Sequence, residues 1–288
     1  MKNIGYVATI GMFDGVHRGH QFVLQQVIKT AHERSLLSMA ITFDHTLRKE
    51  YLLTTLDEKV TMLRELGIDH TEVLAFTDEL KQMTAREFMQ HVLKEQLHVD
   101  VLLIGYDNRF GRGRTEGFDD YVRYGRELGI DVLQLPAQGT VCSSLIRNLL
   151  KDGKVAEAAD LLGHPYLMEG RVEHGEHIGT RLGYPTANLV PVDSQQLIPA
   201  SGVYTVQVSL DRQPMLHAAM MNIGHRPTFD GHHTTLEVHV LHLNEDLYGH
   251  QMTVHFIQRL RDEQRFDSED ALTTQLQKDL IQTETILK

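Results

Sequence analysis

Residues 6–20 read YVATIGMFDGVHRGH, and this stretch decides the fold of the front half. Tyr6–Ile10 is a short apolar run that ends at Gly11. The string Gly11-Met12-Phe13-Asp14-Gly15-Val16-His17-Arg18-Gly19-His20 follows directly. Behind it Phe22, Val23, Val27 and Ala31 recur at helical spacing. The change of apolar period predicts a strand, a glycine-rich turn and a helix that begins near His20. Such a turn brings backbone N–H groups close to an anion. His17 and His20 flank Gly19, where the missing side chain lets the backbone approach a phosphate. Two imidazoles there can donate hydrogen bonds to phosphate oxygens as charge develops. In isolation the same string reads as a tight turn with surface histidines. Its place after the first strand of an alternating sheet favours the phosphate reading, because ligands bind at the carboxyl ends of such strands.

The alternation continues outward. Leu37–Phe43, Thr71–Phe76, Val99–Ile104 and Ile130–Leu135 read as further strands. Capping boxes, Thr55 with Glu58 and Thr84 with Glu87, open the helices between them. About five strands alternating with helices imply a parallel sheet covered on both faces. Residues 143–163 read as helix broken at Gly153, and a division into domains is expected at 1–163 and 164–288. Beyond it strand patterns dominate, at Tyr204–Leu210, Met215–Ile223, Thr234–Leu243 and Met252–Arg259. Their spacing predicts an antiparallel barrel or sandwich. A terminal amphipathic helix is expected after Asp267 or Ser268, with Leu272, Leu276 and Leu280 as its apolar stripe.

Composition narrows the function classes. With 288 residues the chain suits two modest domains. Cys142 is its one cysteine, which excludes an intrachain disulfide and a thiolate zinc site, and suits a reducing cytoplasm. A net charge of -11 argues against general attraction to nucleic acid. No run has the length of a membrane span, and none resembles a secretory signal. Of the 18 histidines, His232 and His233 are expected in an exposed loop.

Three more segments carry chemistry. Residues 105–117, GYDNRFGRGRTEG, follow the strand Val99–Ile104 with four glycines and three arginines. Residues 170–189 read GRVEHGEHIGTRLGYPTANL, punctuated by Gly175, Gly179 and Gly183. There Thr186 and Asn188 offer hard oxygens of the kind Mg²⁺ and its phosphates accept, although by composition alone the segment reads as a plain loop-to-strand transition. In TLEVHVL, Leu236, Val238 and Val240 alternate with Thr235, Glu237 and His239, so Glu237 is a solvent-facing strand residue or a general base.

FDGVHRGH looks like the HxGH signature of the nucleotidyltransferase superfamily, and the longer TIGMFDGVHRGHQ resembles bacterial FAD synthetases, the bifunctional riboflavin kinase/FMN adenylyltransferases. This resemblance implies a Rossmann-like nucleotidyltransferase domain in front, with His17 and His20 on ATP phosphates and Gly11, Phe13, Asp14 and Gly19 shaping the nucleotide turn. The segment Val141–Arg147 is similar to the superfamily's ISSTxxIR-like closing piece, which implies phosphate roles for Ser143, Ser144 and Arg147. Asp107, Arg109 and Phe110 match a family segment that contacts nucleotide and flavin, while Asn108 replaces its usual phenylalanine. His45-Thr46-Leu47 stands where the family has Pro-His-Pro. GxxLGxPTAN resembles the riboflavin kinase signature. It implies a β-barrel kinase domain with a terminal helix, nucleotide contacts at Gly179, Gly183 and Pro185, and Mg²⁺ and ATP contacts at Thr186 and Asn188. Glu237 then corresponds to the base that takes the proton of the ribityl 5′-hydroxyl. SGVY, MNIGHRPTF, LYG and RDEQRFDS follow in family order. The expected reaction is riboflavin to FMN and then FMN to FAD, with ATP and Mg²⁺, in the cytoplasm, without nucleic acid or membrane. A riboflavin kinase with an altered front domain is the alternative.

Overall fold

Tyr6–Ile10 (β1), Leu37–Phe43 (β2), His70–Leu74 (β3), Val99–Ile104 (β4) and Asp131–Gln134 (β5) pair in the order β3-β2-β1-β4-β5, all parallel. The structure is a computed structural model that describes residues 5–44, 50–106, 108–136, 141–174, 183–228, 231–243 and 245–288. Strand side chains alternate between two cores. Ala8, Ile10, Met39, Ile41, Leu102 and Ile104 face one, packed with Phe88, Met89 and Leu93. Val7, Ala40, Val101 and Leu103 face the other, packed with Leu24, Val27 and Ala31 of α1 (Arg18–Arg34) and Leu63 of α2 (Leu56–Glu65). Both faces are dry, so the strands read as nearly continuous apolar runs. The strand order reverses between β1 and β4, which is where such sheets open a crevice at their carboxyl ends.

Both capping boxes form as expected, at Thr55 and at Thr84. After α3 (Asp78–Gln82), the helix capped by Thr84 (α4) opens over Ala85–Glu87 and continues over Phe88–Gln96 in wider π turns. It is followed by α5 (Phe118–Leu128) before β5. Next come α6 (Ser143–Lys151) and α7 (Val155–Leu162), with the chain turning between them at Gly153, φ 73°. By contacts the chain forms two units, Met1–Glu50 with Thr54–Cys142, and Tyr51–Leu53 with Ser143–Lys288. The two short helices therefore belong to the second unit, where Ala200 N–H donates to Leu150 C=O at 3.0 Å.

The second unit is a closed antiparallel barrel, not a sandwich. Tyr166–Glu173 (β6), Ala187–Pro191 (β7), Gly202–Leu210 (β8), His217–Thr228 (β9), Gly231–Val240 (β10) and Gln251–Arg261 (β11) close in the order β10-β7-β6-β11-β8-β9. Leu189, Val206, Met221, Val238 and Phe256 are among its buried residues. Two expectations need correction. His232 and His233 lie on β10, which begins at Gly231, and not in a loop. The terminal helix α8 (Glu269–Ile286) is capped by Ser268, but its buried residues are Asp279 and Thr283, with Leu272, Leu276 and Leu280 only half-buried. Polar pairing explains this: the Arg261 guanidinium grips the Asp279 carboxylate at 2.8–3.1 Å, and the Thr205 and Thr283 hydroxyls meet at 3.1 Å. Among the described residues no helix is long and apolar enough to cross a membrane.

Candidate active site

The first site is the turn between β1 and α1. Three of its residues occupy the left-handed region: Phe13 at φ 49°, Gly15 at 80° and Val16 at 38°. For a β-branched residue such as Val16 this is an outlier, and outliers of this kind cluster at functional sites. The helix starts at Arg18, two residues before the expected His20. The reason is an unusual cap: the Nδ1 of His17 accepts the backbone N–H of His20 at 3.4 Å. That bond leaves Nε2–H as the donor of a neutral His17. The rings of His17 and His20 stack at 3.6 Å between centroids, and Phe13 sets its edge against His20 at 5.4 Å. Gly19 makes room for this stack, since a Cβ there would stand 3.2 Å from the His17 ring. Gly11 does the same for Phe13, at 3.1 Å.

Electrostatics keep the pair neutral. Burial lowers the pKa of His17 to about 4, against a smaller opposing effect of a backbone hydrogen bond. Burial also holds His20 well below its ordinary range, helped by the nearby His17 and Lys59. The Nδ1 of His20 is buried, with no hydrogen-bond partner among the described residues. Buried polar atoms are normally satisfied, so an unpaired nitrogen beside a strained turn fits a ligand contact.

The turn is braced from outside. Gly15 N–H donates to Thr54 Oγ1 at 3.1 Å, and Thr54 N–H donates to Asp14 Oδ1 at 3.2 Å. Lys59 Nζ donates to the carbonyls of Met12 at 3.1 Å and Phe43 at 3.2 Å. Neither Thr54 nor Lys59 stands out in the sequence, where they flank an ordinary capping box. The loop after β4 lies across the switch point, and the Asn108 side-chain amide donates to Ile10 C=O. Beside it opens a cavity of about 440 Å³, lined by Phe43, Phe76, Phe88, Phe110 and Arg109 among others. Phe110 also stacks on buried Tyr121 at 4.3 Å, whose hydroxyl accepts the Phe110 N–H at 3.1 Å. Arg109 is exposed. Asp107 and the replaced segment His45–Leu47 lie outside the described residues.

Ser143 and Ser144 stand at the start of α6 in the second unit. In the same unit Arg147 is buried, and its Nε donates to Tyr51 C=O at 2.7 Å.

The second site lies on the barrel's outer face. Glu173 pairs with Asn188, Asn188 with Glu237, and Glu237 with Asn222, across β6, β7, β10 and β9. Directly paired residues share a face, with Cβ atoms roughly 5 Å apart. The buried Ala187, Leu189, Leu236 and Val238 alternate with this polar row. Thr186 directly precedes β7, two residues from Asn188. The exposed Pro185 accepts a bond from the His239 ring at 2.8 Å, which ties the PTAN segment to β10. Gly183 has φ 82° with open space at its Cβ position, while Gly179 lies outside the described residues. Among the described residues no group of three or more His, Cys, Asp or Glu could hold a metal. Mg²⁺ is commonly held by one or two protein oxygens together with substrate phosphates and water. The donors of Thr186 and Asn188, with the Glu237 carboxylate beside them, fit that mode. Glu173 and Asn222 were not visible as site residues in the sequence, because only strand register brings them beside Glu237.

Comparison with known proteins agrees with this division. Residues 1–144 match the FAD synthetase family model, and residues 162–287 match the riboflavin kinase model. A bifunctional riboflavin kinase/FMN adenylyltransferase of Escherichia coli strain K12 is 39% identical over 287 residues, which cover 96% of this chain and 90% of that protein. One from Listeria monocytogenes is 33% identical, with 96% and 91% covered. A crystal structure from Streptococcus pneumoniae, described as a macrolide-efflux protein, superposes with a TM-score of 0.88 at 32% identity, with 98% of this chain and 96% of that chain covered. The chain belongs to the family of bifunctional riboflavin kinase/FMN adenylyltransferases.

Proposed function

We propose that the chain uses ATP twice: it phosphorylates riboflavin to FMN within residues 164–288 and adenylylates FMN to FAD within residues 1–163. What carries this reading is the different chemistry of the two sites. The rear site offers a carboxylate beside oxygen donors, and the front site offers neutral imidazole donors, its one turn carboxylate, Asp14, being engaged by Thr54. Riboflavin presents an alcohol, so its attack on the γ-phosphorus, with ADP leaving, calls for a base such as Glu237 to take the hydroxyl proton. FMN presents a phosphate, already anionic at neutral pH, and its oxygen attacks the α-phosphorus of ATP as pyrophosphate leaves. There His17 and His20 donate to the phosphate oxygens and fix their alignment. The aromatic-lined cavity suits the flat flavin ring, with the exposed Arg109 at its lining for charge. Thr186 and Asn188 would hold Mg²⁺, which when bound neutralises charge on the ATP phosphates. We place the reactions in the cytoplasm, in keeping with a single exposed cysteine. The efflux wording belongs to the pneumococcal protein, and nothing in this chain's two sites calls for transport.

Calorimetry with Mg²⁺ and an unreactive ATP analogue should count two binding events per chain. A single event would overturn the two-site reading. FMN formation without any FAD, under oxidising and reducing conditions alike, would favour a riboflavin kinase with an altered front domain.

Gly19→Ala gives a finer check on the front site. The added methyl presses on the His17 ring at 3.2 Å, while alanine favours helix α1 by up to about 1 kcal/mol. FAD formation should fall about tenfold with no loss of melting temperature. Unchanged FAD formation would show that the stacked geometry is not required.

A further inference from the structure

We propose that Thr54 and Lys59 are positioning residues for adenylyl transfer: they hold residues 12–16 in the strained form that stacks His17 on His20. The inference rests on the front-site reading above. Phe13 and Val16 each sit at positive φ, and such residues cost about 1–3 kcal/mol apiece unless their surroundings over-determine them. Within the turn, Val16 N–H donates to Phe13 C=O at 3.0 Å. The Gln21 side-chain amide donates to Val16 C=O at 2.9 Å, and further restraints come from one segment about forty residues away. Thr54 clamps two consecutive residues, accepting from Gly15 N–H and donating its own N–H to the Asp14 carboxylate. Lys59 ties the Met12 carbonyl, at the start of the turn, to the Phe43 carbonyl at the end of β2. The Thr42 hydroxyl adds a second bond to Met12 C=O at 3.2 Å.

A packing role alone does not account for these residues. Thr55, not Thr54, caps α2, so the Thr54 hydroxyl is spare for the turn. Lys59 is only 6% exposed, and a lysine is rarely so buried without paired partners. Leucine or methionine would fill the same volume without the desolvation cost. Among the described residues the Asp14 and Asp44 carboxylates favour its charge, and the His20 ring near it is kept neutral as described. Burial lowers its pKa to about 8 despite the two carboxylates. The brace therefore weakens on the alkaline side of neutrality, as the ammonium loses its charge and one of its three N–H donors.

The test uses the full chain, with FAD made from FMN and ATP as the signal and FMN made from riboflavin as the internal control. Lys59→Met and Thr54→Val should lower kcat for FAD formation about tenfold to a hundredfold, with KM values moved less than about threefold. FMN formation should stay within about twofold. Thr54→Ser, which keeps the hydroxyl, should restore FAD formation. The wild type should lose FAD formation as pH rises through about 8, and the residual activity of Lys59→Met should lack that limb. A Lys59→Met chain within threefold of wild type, or one that keeps the alkaline limb, overturns the inference. If Lys59→Met does not fold, equal activity of the Thr54 pair overturns it instead. A wild-type chain that makes no FAD fails earlier, and overturns the front-site reading together with this one.

Discussion

Glu237→Gln abolishes the conversion of riboflavin to FMN and leaves FAD formation from supplied FMN intact. Glutamine keeps the size of the side chain and an oxygen at the same place, but it cannot take a proton. A positioned general base is worth about 10² to 10⁴ in rate, so a fall of about 10³ is expected, or about 4 kcal/mol of barrier. The substitution leaves the strand register alone, because Glu237 meets Asn188 and Asn222 through backbone ladders. The melting temperature should therefore hold. Chromatographic separation of riboflavin, FMN and FAD reads both reactions in one tube. The control matters as much as the loss. If both activities fell together, one shared site would be at work and the assignment of Glu237 to the barrel reaction would fail. A loss confined to KM would make Glu237 a binding group and not a base.

How far the residues announced this arrangement varies along the chain, and the variation has physical causes. The β1 turn and α1 were legible because apolar period changes there from runs to 3.6 spacing. The helix start was misplaced by two residues because histidine is not among the usual N-cap side chains, yet His17 caps through Nδ1. Strand β6 escaped notice since its burial runs Tyr166, Met168, Glu169 and Gly170 without clean alternation. Glu237 was visible from alternation, but its neighbours Glu173 and Asn222 depend on register, which no local pattern encodes. Lys59 reads as a solvent-facing lysine in the first turns of a capped helix. It is buried only because α2 packs over the ends of β1 and β2. In α8 the leucine spacing overstated the apolar stripe, because the pairing of buried Asp279 with Arg261 anchors the helix instead.

His17→Asn separates the two duties of that residue and gives the second large effect. Asparagine is a preferred N-cap, so the bond to the His20 amide survives in kind. Its short side chain does not reach where Nε2–H donates. FAD formation should drop roughly a hundredfold or more, the size seen when one preorganised donor to a reacting oxyanion is removed. His20→Ala should cost as much, since its buried Nδ1 and its stacked ring are both lost. Stability should move the other way in acid. The pKa of His17 falls from 6.5 when unfolded to about 4 when folded, so the unfolded chain binds more protons between those values. Stability of the wild-type front unit then declines as pH drops from about 6.5 through 4, by up to about 3 kcal/mol from this residue alone. The asparagine variant lacks that proton and should keep more of its stability at pH 4.5. Hydrogen exchange of the α1 amides, corrected for intrinsic rates, would follow the front unit separately from the barrel. An asparagine chain that still makes FAD at the wild-type rate, with its acid stability unchanged, would remove His17 from the site and from the argument that a neutral, capped imidazole is what the strained turn exists to present.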